Sequence, residues 1–203
     1  MPVDDRAVYI ADGECFWQAN GLPIQLPLDE YYCEHGIGYS DIVESYRGIH
    51  SEMRIFVPNE GKREIIRVIV RNDAAEAKTI KVIPFCGTAI DCVYKPQGYE
   101  TDWGKFYEEK NSAVATGFTS FGGEGVVKYY AYMTSNETVT GTRPTSSGII
   151  PNFTKSCGRI SFKSLSVFLS CFAETSELNP IEVWSVRFSI IFSIPSNAPP
   201  QIN

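Results

Sequence analysis

Over residues 184–194 every second residue is large and apolar: Trp184, Val186, Phe188, Ile190, Phe192 and Ile194. Side chains of an extended chain alternate between two faces, so this pattern gives one continuous hydrophobic face on a strand and none on a helix. The same period of two recurs over residues 64–71, where Ile66, Val68 and Val70 share one face and Ile65, Arg67, Ile69 and Arg71 the other. That pattern fits a strand with one face in a core and one partly in water. Met53, Ile55 and Val57 alternate with Arg54 and Phe56 before Pro58, and residues 79–85 return with Ile80 and Val82 inward. The helical period of 3.6 is nowhere sustained. The chain therefore reads as all-β, with the strands around 53–57, 64–71 and 79–85 forming an antiparallel meander.

Further along, residues 113–119 and 126–133 read as a hairpin around Phe121-Gly122-Gly123-Glu124-Gly125. No helix or Lys-Ser/Thr pair follows those glycines, so the stretch is a turn and not a phosphate loop. Residues 134–157, rich in Thr, Ser, Gly and Asn, read as loop, and two more strands follow. A chain of 203 residues is long enough to close one large core. We expect a single β-sandwich domain over residues 1–195 and a frayed tail over 196–203.

Charge and cysteine usage exclude several functions. A net charge of -6 argues against a general nucleic-acid binder, which needs a basic surface. No stretch reaches the roughly 18 to 20 apolar residues that span a bilayer. The first residues, Met-Pro-Val-Asp-Asp-Arg, lack the basic and apolar regions of a secretory signal, so a cytoplasmic protein is expected. In that compartment the six cysteines, with no C-x-x-C spacing, read as reduced and largely buried thiols. For the same reason the sequons at Asn136 and Asn152 carry no weight.

One segment departs from the strand pattern. Residues 94–107 hold Pro96, Gly98, Tyr99, Trp103, Gly104 and Tyr107 with no clean period, and read as a long aromatic loop. Such rings can pack as a lid over the end of a sandwich. They can also stack on the apolar faces of a sugar while neighbouring polar groups, here Glu100 and Asp102, bond its hydroxyls. Tyr99, Trp103 and Tyr107 are therefore the candidate ligand-binding residues.

Other chemistry finds little support in the residues. Glu108 and Glu109 read as a solvated pair. Cys33 and His35 would need two further ligands to hold a metal, and His35 and His50, the only histidines, sit in no nucleophile motif. Cys15 and Cys171 have no setting that would activate a thiol. No catalytic residue, metal or cofactor is expected in this chain.

Three stretches carry a resemblance. Asp12-Gly13-Glu14 is followed by Phe16-Trp17 and Pro23. Tyr32-Cys33-Glu34-His35-Gly36-Ile37-Gly38-Tyr39-Ser40 contains an H-G-x-G-Y turn. Gly48-Ile49 leads through Phe56-Val57-Pro58 to Glu64-Ile65, with Asn72 closing the strand. In this order and spacing they resemble the N-terminal super-sandwich domain of the cellobiose and chitobiose phosphorylases, inverting glycoside phosphorylases formerly placed in glycosyltransferase family 36.

The resemblance implies a two-sheet antiparallel super-sandwich of galactose mutarotase-like shape. It also implies a catalytic barrel of paired helices that follows this domain and uses phosphate to cleave β-linked disaccharides. In that family, loops of this domain help wall the active site of a dimer partner. The chain starts later than the family's first strands and ends before a barrel could begin. The expected function is thus a non-catalytic, carbohydrate-binding module that supports a phosphorolytic barrel. Its partners would be an oligosaccharide or disaccharide and the helical barrel or a homodimer partner, with no nucleic acid and no membrane.

Two alternatives stand beside this one. The first is a stand-alone mutarotase-like sugar epimerase, with His35 and either Glu34 or Glu52 as acid and base. Against it, His35 reads rather as a turn residue whose ring bonds backbone, with Gly36 and Gly38 supplying unusual backbone angles. The second is a truncated structural fragment without activity.

Overall fold

The computed structural model describes residues 6–13, 15–20, 26–61, 63–87, 105–107, 111–120, 126–142, 168–175 and 177–193. Among the described residues there are thirteen strands and no helix. In chain order they begin with β1 (Arg6–Asp12), β2 (Cys15–Gln18), β3 (Glu30–Gly36), β4 (Tyr39–Tyr46), β5 (Ile49–Phe56) and β6 (Arg63–Asn72). They continue with β7 (Ile80–Gly87), β8 (Lys105–Tyr107), β9 (Ser112–Ser120), β10 (Val126–Ser135), β11 (Val139–Thr142), β12 (Phe168–Glu174) and β13 (Val183–Ser193). All pairings are antiparallel and build two sheets: eight strands ordered β3-β4-β5-β6-β13-β10-β9-β8, and five ordered β11-β12-β7-β1-β2. This is the two-sheet antiparallel super-sandwich that the resemblance implies.

The alternation places the core. Ile66, Val68 and Val70 of β6 and Val186, Phe188 and Ile190 of β13 are fully buried, and the two strands pair Val68 with Val186. Against this inner face the smaller sheet sets Val8, Ile10, Trp17, Ile80 and Val82. Burying each such side chain contributes about 1.5–3 kcal/mol. Ile194 lies outside the described residues, as do the Gly-rich turn over 121–125 and the tail over 196–203.

The expected meander holds for one hairpin only. β5 and β6 pair as expected, but β7 leaves β6 and enters the smaller sheet between β12 and β1. The reason lies on both faces of β7. Ile80 and Val82 enter the main core, while Phe85 on the opposite face joins a second cluster with Ala7, Tyr9, Ala11, Phe16 and Ile83. A strand apolar on both faces cannot sit in a sheet whose outer face is wet, and the free edge of β6 is taken by β13.

Two segments read as loop contain short strands. Residues 105–107 form β8, an edge strand on β9, and residues 139–142 form β11, at the edge of the smaller sheet with Val139 buried. Residues 94–104 and 143–157 lie outside the described residues. The hairpin expected around the Gly-rich turn is β9–β10. Cys15, Cys33 and Cys86 form no disulfide among the described residues, and of the three Cys86 is fully buried and the other two half-buried.

Buried amides fix the crossovers. Asn72, wholly buried at the end of β6, donates from Nδ2 to Glu76 O and Leu178 O, both at 2.8 Å, and accepts from Ala74 N at 3.0 Å. One side chain thus satisfies three backbone groups in the loops after β6 and before β13. Lys78 then ties the sheets together: its Nζ lies 2.8 Å from Asp12 Oδ2 on β1 and 2.8 Å from Arg47 O in the β4–β5 turn. Both central residues of that turn have positive φ, Arg47 at 55° and Gly48 at 73°, the type I′ pattern of a two-residue hairpin. A Cβ at Gly48 would also meet Ala74 Cβ at 3.0 Å.

Candidate functional site

The H-G-x-G-Y stretch forms the β3–β4 hairpin, with Gly36 paired to Tyr39 and Ile37-Gly38 at the tip. Gly38 has φ +82°, whereas Gly36 is required by space, since a Cβ there would lie 2.1 Å from Tyr39 Cε1. That vacancy lets the Tyr39 ring lie across the strand. His35 does not bond backbone as expected: its Nδ1 lies 2.9 Å from Ser40 Oγ and its Nε2 3.4 Å from Cys33 Sγ. Cross-strand pairing of His35 with Ser40 brings them together. With both ring nitrogens engaged by neighbours on the same hairpin, His35 acts as a turn residue.

On the outer face of the same strands, aromatic and charged side chains interlock. Tyr32 Oη donates to Glu34 Oε2 at 2.8 Å and Tyr39 Oη to Glu34 Oε1 at 3.3 Å. Asp41, opposite Glu34, accepts two bonds from Arg54 at 2.6 and 2.5 Å. The Arg54 guanidinium in turn sits 5.0 Å from the Tyr39 ring centroid. The paired guanidinium holds the Asp41 carboxyl below the usual carboxylate range, and the Glu34 bond raises the Tyr32 hydroxyl above its ordinary value. Tyr32, Ile37 and Val57 are exposed apolar surface around this lattice, with Ile37 fully so at the tip. Flat rings beside fixed polar groups suit a ligand that presents both apolar faces and hydroxyls.

Inside the hairpin, Glu44 of β4 is 1% exposed. Trp17 Nε1 donates to its Oε1 at 2.6 Å and Ser51 Oγ at 3.1 Å, while Oε2 has no partner. Burial pushes the Glu44 carboxyl up to about 7, against the opposing pull of the Trp17 and Ser51 bonds. A perturbed buried carboxylate marks an active site in many proteins. Here it is enclosed by core side chains and braced by an indole, so it fastens β4 to β2. His50 makes an outer cluster, with Ser45 Oγ at 2.9 Å, Glu52 at 3.6 Å and Glu30 at 4.0 Å.

The residues proposed from sequence are only partly placed. Tyr99 and Trp103 lie outside the described residues, as do Glu100, Asp102, Glu108 and Glu109. Tyr107 ends β8, half-buried and paired in register with Ser112. β8 and β3 are opposite edges of the eight-stranded sheet, so Tyr107 and the Tyr32–Tyr39 surface stand apart. Among the described residues no three His, Cys, Asp or Glu side chains are grouped to hold a metal. Sequence reasoning missed the Tyr32–Glu34–Tyr39 lattice and Glu44. The signal for Glu44 is its phase: two residues after buried Ile42, it shares the inward face of β4.

Comparison with known proteins bears on these same strands. The family model described as glycosyl hydrolase 94, supersandwich domain, matches residues 2–102. Solabiose phosphorylase of Paenibacillus borealis is 37% identical over 112 residues, covering 54% of this chain and 13% of that enzyme. N,N'-diacetylchitobiose phosphorylase of Vibrio proteolyticus is 33% identical over 82 residues, covering 38% of this chain and 10% of that enzyme. The match thus spans a small part of the length of either relative. Among solved structures, a putative aldose 1-epimerase of Escherichia coli K12 superposes with TM-score 0.46 at 12% identity, covering 82% of this chain and 69% of that one. That likeness is too loose to bear on chemistry. The matched stretch contains the H-G-x-G-Y hairpin, Trp17 and the strand closed by Asn72, and through it this chain belongs to the glycosyl hydrolase 94 supersandwich family.

Proposed function

We propose that the chain is the non-catalytic supersandwich module of a glycoside phosphorylase-like protein. In this reading it contacts carbohydrate and supports a helical barrel that carries out phosphorolysis of a disaccharide. The observation that carries the reading is the outer surface of the β3–β4 hairpin, within the family-matched stretch. There Tyr32 and Tyr39 are held by Glu34 and Arg54, and Ile37 stands fully exposed at the tip. A fully exposed apolar side chain at a hairpin tip, beside exposed Val57 and Tyr32, fits a surface completed by another domain or a second subunit. The two similar enzymes are named as a solabiose phosphorylase and an N,N'-diacetylchitobiose phosphorylase, which supports the sugar chemistry.

Sugar contact is assigned to Tyr99, Trp103 and Tyr107, whose rings and neighbouring acids have the chemistry to stack on and bond a sugar. The test is calorimetric titration of the full chain with disaccharides. Trp103→Ala is expected to fold normally and to bind more weakly; unchanged affinity would remove the carbohydrate role from this segment.

A further inference from the structure

Three arginines form one rung across the outer face of the eight-stranded sheet. Arg54 of β5 is the register partner of Arg67 of β6, and Arg67 that of Arg187 of β13. All three are outward positions, because their chain neighbours Met53, Ile66, Val68, Val186 and Phe188 are buried. Directly opposed side chains on antiparallel strands have Cβ atoms about 4.5–5.5 Å apart, and like charges so placed repel each other. Asp41 continues the rung on β4, but both its oxygens are taken by Arg54. Glu52, the next outward residue of β5, pairs with His50 at 3.6 Å. Among the described residues, no carboxylate forms an ion pair with Arg67 or Arg187. Three guanidinium groups thus stand against two carboxylates, Glu34 acting on Arg54 and Asp41 acting on both Arg54 and Arg67, so the rung keeps a net positive charge on a chain of net charge -6.

We propose that Arg67 and Arg187, with Arg54 beside them, form a binding site for a phosphate-type oxyanion. Each guanidinium is a planar fork that can donate two parallel bonds. Two facing forks call for more acceptor oxygens than the two of a carboxylate, and a tetrahedral phosphate group supplies them. Ser185 and Ser189 flank Arg187 on the same outward side of β13 and add hydroxyl donors. An anion on the rung would also relieve the repulsion that the register imposes. The group could be free phosphate or a phosphomonoester, since Arg187 is exposed.

The experiment measures thermal unfolding of the full chain at fixed pH and ionic strength, with chloride replaced by inorganic phosphate in one arm and by glycerol phosphate in another. The midpoint is expected to rise saturably, as for any ligand that binds the folded state. Protection by both anions assigns the phosphate group itself, and protection by inorganic phosphate alone assigns the free ion. The double variant Arg67→Gln, Arg187→Gln should lose the shift, whereas Arg63→Gln, on the same strand but off the rung, should keep it. In chloride the double variant should melt no lower than the parent. Midpoints that follow ionic strength alone, or a double variant that keeps the shift, would overturn the proposal. If the double variant does not fold, Arg187→Lys keeps the charge and loses the fork. Titrated calorimetrically with inorganic phosphate, it should bind about tenfold more weakly, and parental affinity would equally overturn the site.

Discussion

Trp17 Nε1 donates to Glu44 Oε1 across 2.6 Å, joining a strand of the smaller sheet to one of the larger through a bond wholly inside the sandwich. The Tyr46 ring packs edge-on against the indole at 5.4 Å. The pair holds the two layers in register where the family's Trp and the H-G-x-G-Y hairpin meet.

This pair makes stability depend on pH. Glu44 has a folded-state value of about 7, above its ordinary 4.5, so the folded state binds the proton more tightly than the unfolded chain. The resulting stabilisation is fully present below pH 4.5 and is lost as pH rises through about 7, by about 3 kcal/mol at most. Denaturant unfolding between pH 5 and 8 should show this fall, and Glu44→Gln should flatten it. An equal slope in the variant would place the titration elsewhere.

Trp17→Phe keeps an aromatic ring but removes the donor. Glu44 then retains only the Ser51 bond, and a space opens where the indole stood. A loss of about 3 kcal/mol is expected from chemical unfolding, with Glu44 titrating higher still. A variant as stable as the parent would show that the bond contributes nothing.

Asn72→Ala should cost about 2 kcal/mol, because it removes three bonds and leaves Glu76 O and Ala74 N without this partner, while Leu178 O keeps its bond from Lys78 N. Hydrogen exchange should also report faster opening at Ala74. Protection at Ala74 equal to the parent's would remove Asn72 as the clamp of the crossover.

Tyr9→Phe should act in the opposite direction. The Tyr9 hydroxyl is buried in the second cluster and has no hydrogen-bond partner among the described residues, and burial raises it to about 12. Removing it should stabilise the fold by about 1 kcal/mol. A lower melting midpoint in the variant would reveal a partner for the hydroxyl.

Period-two alternation made β6 and β13 readable, because each has one face in the core and one outside. It could not show that β7 crosses to the other sheet, since Ile80 and Val82 alternate identically in either sheet. The deciding residues, Ile83 and Phe85, find their cover only through β1 and β2. Nothing in the sequence singles out Glu44, because its partner Trp17 lies 27 positions away. The arginine rung is equally silent in the sequence, where Arg54, Arg67 and Arg187 become neighbours only once three strands pair. The H-G-x-G-Y turn was legible as a motif, but its service to Tyr39 needed the geometry of Gly36.

The central claim is a module that holds carbohydrate but does not cleave it. Incubating the full chain with a β-linked disaccharide and inorganic phosphate, with sugar phosphate release and disaccharide binding followed together, tests it most directly. The account predicts binding that Trp103→Ala weakens, with no sugar phosphate released. Release of sugar phosphate by this chain alone, or no binding by the folded parent, would contradict it.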